Sequence, residues 1–141
     1  MQGVELITGV RHGHVVAALR GELDVTGAVG AEAAITALVE PRQFLIIDTS
    51  ALDFIDCSSL RGLLRVRELA RRGGGDVVLA APQPQLRRLL ALTGMDDVFC
   101  VQASMAAAVA SVARRRRRYS WRLAVSAARP GRSASSHTGT G

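Results

Sequence analysis

The sequence predicts an α/β domain: a mixed, mostly parallel β-sheet that opens with an antiparallel hairpin and is covered by α-helices. Three observations predict it. From residue 44 onward, apolar runs of strand length alternate with stretches of helical length and spacing. Before them, two strand-like runs stand together, separated only by a short turn containing Gly13. The chain has 141 residues, 48% hydrophobic and 21% charged, which suits one buried core and is too apolar for a wholly disordered chain.

The first strand is expected over Val4–Val10 and the second over His14–Asp24. Thr26 is the expected cap of a helix running to about Val39, with Ala33, Ala34, Ala37 and Leu38 available for its buried stripe and Pro41 to stop it. Phe44–Asp48 is a continuous apolar run ending in a carboxylate, the pattern of a central strand buried on both faces. Leu60, Leu63, Leu64, Val66, Leu69 and Ala70 mark the next helix, with Asp56 as its cap and Gly73–Gly75 closing it. Asp76–Ala81 follows as a strand stopped by Pro82. Pro84 then opens a helix carrying Leu86, Leu89, Leu90 and Leu92, which Gly94 ends. A short strand, Val98–Val101, and a helix capped by Ser104 and running through about Arg114 or a little beyond complete a domain over residues 3–113.

Residues 114–141 have a different character. All 18 basic residues are arginine. Residues 1–112 carry a net charge of −2 and residues 113–141 one of +8, so the high pI describes a tail attached to a nearly neutral domain. Arg114–Arg118 repel one another and little apolar surface follows, so disorder is the expected state. With Tyr119 and Trp121 behind them, these arginines could contact nucleic acid or an anionic membrane surface. A solvated extension is the favoured reading.

Composition also excludes several function classes. Two cysteines, Cys57 and Cys100, cannot build a disulfide framework. No run of about 18 apolar residues and no secretory leader is present, so the expected setting is the cytoplasm. His12 and His14 have no carboxylate or cysteine arranged around them, and no metal site is expected. The chain has no lysine, hence no Walker-type loop, and Leu63 stands where a Cys57-x5-Arg phosphatase loop would need arginine. Catalysis is not expected.

The informative segment runs from Leu45 to Leu64. A buried strand ends in Asp48-Thr49-Ser50, and a polar cluster, Asp56-Cys57-Ser58-Ser59, opens the following helix. With Asp56 as cap, the next three side chains lie in a first turn rich in free N–H groups, where a phosphate is tolerated. Taken alone, Asp48 and Asp56 also fit as a turn residue and a plain cap, and Ser58 and Ser59 as ordinary first-turn residues.

In this segment the sequence resembles STAS domains of the anti-sigma-factor antagonist type. It carries Asp48-Thr49-Ser50, Phe54-Ile55, Asp56-Cys57-Ser58-Ser59-Leu60 and Leu63-Leu64, with Gly21-Glu22-Leu23-Asp24 upstream and Leu89 to Met95 downstream. The resemblance implies a protein that binds a serine-kinase anti-sigma factor, frees a sigma factor, and is reset by phosphorylation of a serine at this helix start and by a phosphatase. ATP would belong to the kinase, and no cofactor is expected of this chain. The family's acceptor position is Cys57 here, its glycine is Ser59, and Ser58 matches the second hydroxyl residue. Three readings stay open: Ser58 is the acceptor, the chain is a constitutive antagonist, or Cys57 gives redox control. The implied contact surface is Asp24, Ser50, Asp56, Cys57, Ser58 and Ser59. The alternative is a STAS-like scaffold or sensor module without a phosphoryl cycle.

Overall fold

The computed structural model describes residues 3–128, the last ten of them (119–128) as backbone only. Two compact units divide the chain, one through Ala110 and one from Ser111. The first holds a five-stranded sheet whose spatial order follows the chain, β1-β2-β3-β4-β5. The strands β1 (Val4–Arg11) and β2 (His14–Leu23) pair antiparallel, whereas β3 (Phe44–Ile55), β4 (Asp76–Ala80) and β5 (Cys100–Gln102) add on in parallel. The connecting helices are α1 (Val25–Thr36), α2 (Cys57–Arg72) and α3 (Pro84–Thr93).

Alternation along the strands divides the interior. Ala17, Leu19, Leu45, Ile47, Val77 and Leu79 join Ile35, Leu60, Leu63, Val66, Leu86 and Leu90 from the three helices in one cluster, while Val16, Ile46 and Val78 are buried toward the opposite side. The first turn of the hairpin is formed by His12 and Gly13, both at positive φ (51° and 79°), as a two-residue turn between twisted strands requires. At Gly75 the backbone runs so close to the Gln43 carbonyl that a Cβ could not be placed there.

Several elements differ from the sequence reading. Asp24, not Thr26, caps α1: its Oδ1 accepts from the Thr26 amide at 3.0 Å. The helix ends at Thr36, and the turns at Leu38 and Val39 carry the chain to Pro41. The strand expected to stop at Asp48 continues to Ile55, because β2 accompanies it throughout while β4 pairs only with Phe44–Asp48. Beyond Asp48 one edge of β3 has no strand neighbour, which explains its polar residues there. The strand β5 starts at Cys100 because residues 95–99 fold into a turn on the Met95 carbonyl, and Cys100 is half-buried.

Ser104 caps the last helix, its Oγ accepting from the Ala107 amide at 3.0 Å. This helix, α4 (Met105–Ala128), carries the arginine run as regular helix, where disorder was expected from residue 114; residues 129–141 lie outside the described residues. Arginine is a good helix former, and this preference outweighs the repulsion between neighbours. No helix among the described residues is long and apolar enough to cross a membrane.

Candidate functional site

Parallel pairing of β2 with β3 sets Leu23 beside Ile55, and both chains turn into helices at the next residue. The Asp56 amide donates to the Leu23 carbonyl at 3.2 Å, so the two helix N-termini open side by side at one edge of the sheet. Each is capped by an aspartate. Asp24 accepts from the Thr26 hydroxyl at 2.6 Å, and these bonds hold its carboxyl below the usual range against smaller upward pushes from desolvation and from Asp56. For Asp56, burial pushes upward, but the Ser59 amide (2.8 Å), the Ser58 hydroxyl (3.0 Å) and the Val25 amide together hold it below its ordinary value. Both caps are therefore anionic at neutral pH. Asp56 lies near the first residue of α1 as well as at the first turn of α2, and the hydrogen bond from its amide to Leu23 ties the two helix mouths together.

Of the six residues expected on a contact surface, the fold brings four together in the open. Cys57 and Ser58 are exposed in the first turn of α2, flanked by the partly exposed Asp24 and Asp56. Ser59 is a correction: it is only 2% exposed, because it heads the buried stripe that continues through Leu60, Leu63, Val66 and Ala70. Ser50 is exposed but stands apart, six residues back along β3, roughly 15–20 Å at the usual strand rise. Its carbonyl is held by the Gln83 side chain at 2.7 Å.

Two irregularities in the β2–β3 register, between Ala18 and Arg20 and between Gly21 and Glu22, give β3 one extra residue each time. The second leaves both Asp53 and Phe54 exposed just before the helix, the re-aiming that a bulge provides. Gln85 of α3 steadies the end of the strand, its Oε1 accepting from the Ile55 amide and its Nε2 donating to the Ile55 carbonyl. On the outer side, Arg65 of α2 grips Glu32 of α1 through two bonds of 2.8 and 2.7 Å.

Sequence reasoning missed the apolar and basic rim of this surface. Val25 is 67% exposed and Phe54 40%. Arg61 is exposed on the outward row of α2 three residues after Ser58, a spacing that was available to find it.

The STAS domain family model matches residues 5–111. The chain belongs to the STAS domain family. The matched residues carry all of the sheet but its first residue, Val4, and both capped helices. This STAS domain is 30% identical over 100 residues to BtrV of Bordetella bronchiseptica, named an anti-sigma factor antagonist, covering 70% of this chain and 86% of that one. A crystal structure of an anti-sigma factor antagonist from Mycobacterium paratuberculosis is 30% identical, with a TM-score of 0.67, over 77% of this chain and 93% of that chain. An anti-sigma-factor antagonist domain protein from Planctomyces limnophilus shares the fold, with a TM-score of 0.69 at 17% identity, over 77% and 97% of the two chains. The single α/β domain with its mixed sheet is thus the STAS fold.

Proposed function

We propose that this STAS domain is an anti-sigma factor antagonist: it binds a serine-kinase anti-sigma factor through the paired helix mouths, frees a sigma factor in the cytoplasm, and is switched at Ser58. The observation that carries this reading is the Ser58 hydroxyl, exposed in the first turn of α2 and held by Asp56 beside the Asp24 cap. A kinase can reach this hydroxyl without unfolding the helix, and the free N–H groups of the turn tolerate a phosphate. Phosphorylation adds about −1.5 to −2 charges next to two carboxylates, enough to turn a docking face of mixed charge into a strongly anionic one. Arg61, one turn further along, is placed to steady the phosphorylated residue. The protein works by binding, and the chemistry belongs to its partner.

The test is incubation of the chain with kinase-type anti-sigma factors and ATP, with the phosphate mapped by mass spectrometry. Label on Ser58, lost in Ser58→Ala, together with a complex that separates on labelling, is the expected result. A stable complex that never takes up label would leave a constitutive antagonist, and absence of any complex would remove the reading altogether. Cys57→Ser restores the hydroxyl at the position the family uses, and labelling should then appear at residue 57 as well.

A further inference from the structure

The hairpin leaves β1 at one edge of the sheet, paired to β2 on one side only. Its turn sets Arg11 opposite His14, and at the other end the Glu22 amide donates to the Gly3 carbonyl. The backbone groups of residues 5, 7, 9 and 11 are thereby committed to β2, and those of Val4, Leu6, Thr8 and Val10 point outward along the open edge. The edge has no proline and no bulge, and while Val4 and Leu6 lean on the core, two of its apolar residues are uncovered: Val10 is 70% exposed and Ile7 49%. Its two charges, Glu5 and Arg11, are of opposite sign and sit symmetrically about Thr8.

That symmetry is what a second copy needs. Two β1 edges related by a two-fold axis run antiparallel, and their outward groups meet only if even-numbered residues oppose even-numbered ones. When the axis passes through Thr8, Glu5 opposes Arg11, Leu6 opposes Val10, Ile7 opposes Gly9 and Thr8 meets its own copy. Moving the axis to Ile7 sets Glu5 against Gly9, and moving it to Gly9 sets Arg11 against Ile7. Of these registers, the one centred on Thr8 pairs the charges, and it does so twice.

Side-chain shape agrees with it. Gly9 has open space where a Cβ would project. It lines a hollow of about 180 Å³ with Ile7, Val16, Ala18 and Asp48, so the Ile7 side chain of the other copy has somewhere to go. Glu5 already faces Arg20 of β2 at 3.9 Å, both largely exposed, and the incoming Arg11 would place it between two guanidinium groups.

We propose that the chain forms a two-fold dimer in which the β1 edges of two copies pair antiparallel about Thr8, joining two five-stranded sheets into one of ten strands. The pairing uses no residue of the helix-mouth cluster, so the dimer displays that cluster twice.

Sedimentation equilibrium of the full chain from micromolar to millimolar concentration tests this, with circular dichroism to verify that each variant folds. The wild-type chain should self-associate. Glu5→Arg and Arg11→Glu should each weaken association about tenfold or more, because each turns two attractive pairs into two repulsive ones. An equimolar mixture of the two variants should recover association as a mixed dimer, since every Arg then opposes a Glu. A monomer at all concentrations, a dimer indifferent to either substitution, or a mixture no tighter than its components would overturn the proposal. So would a chain that is monomeric alone and whose β1 amides become protected only when a strand of another protein is added.

Discussion

Gln85 brackets the backbone of Ile55: its Oε1 accepts from the Ile55 amide at 3.0 Å and its Nε2 donates to the Ile55 carbonyl at 2.9 Å. Together with Gln83 on the Ser50 carbonyl, this side chain on α3 takes the place of the strand neighbour that β3 loses after Asp48. It does so one residue before the Asp56 cap, which makes Gln85 a positioning residue for the helix mouth.

Replacing Gln85 by alanine should cost about 1–3 kcal/mol, because both Ile55 groups lose their partner at a largely buried position. Gln85→Glu keeps an acceptor for the amide but turns a second acceptor toward the carbonyl, and should be no better than alanine at neutral pH. Denaturant unfolding measures the loss, and faster hydrogen exchange at the Ile55 and Asp56 amides would localise it.

Asp56 carries two roles that substitution separates. Asp56→Ala should lower stability by about 1 kcal/mol through loss of the cap to Ser59. Asp56→Asn should lose far less stability, since asparagine caps well, yet should alter partner affinity through the missing charge. Affinity for the anti-sigma factor proposed as its partner, measured beside unfolding free energy, distinguishes the two.

The pH dependence has a definite sign. Asp24 and Asp56 both sit below their ordinary values in the folded chain, so their contribution is fully present above those values and is lost as pH falls through the folded ones. Stability from these caps should be flat from neutrality to about pH 4 and decline below it. The Thr26 and Ser59 amide resonances, which report the two cap bonds, should move in that acidic window. A shift centred near pH 6 would contradict the assignment.

Two glycines give opposite expectations. Gly75→Ala drives a methyl group into the Gln43 backbone and should cost about 1–3 kcal/mol. Gly30, exposed within α1 with open space around it, should gain about 0.5–1 kcal/mol as alanine through helix preference. Thermal unfolding of both variants checks the pair.

Most of the architecture was legible in the sequence because apolar periodicity and punctuation agree: Pro84 begins α3, and Gly94 ends it at a φ of 73°. The Asp56 cap was legible for the same reason. At α1, Asp24 and Thr26 are both good caps two residues apart, and only the pairing of β2 with β3, which fixes where the strand ends, decides between them. The second half of β3 was missed because its polar residues reflect one open edge, a tertiary fact. Gln83 and Gln85 reach backbone groups some thirty residues away, and nothing local marks them. Ser59 follows from its neighbours once the stripe through Leu60 and Leu63 is extended back by one residue.

The order of strands in the sheet is also their order in the chain. As the polypeptide leaves the ribosome, each new strand finds its neighbour already made, and nothing inserted between two earlier strands has to wait for a later one. Growth of the sheet can therefore keep pace with synthesis, and the two capped helix mouths are assembled once β3 and the first turns of α2 have emerged.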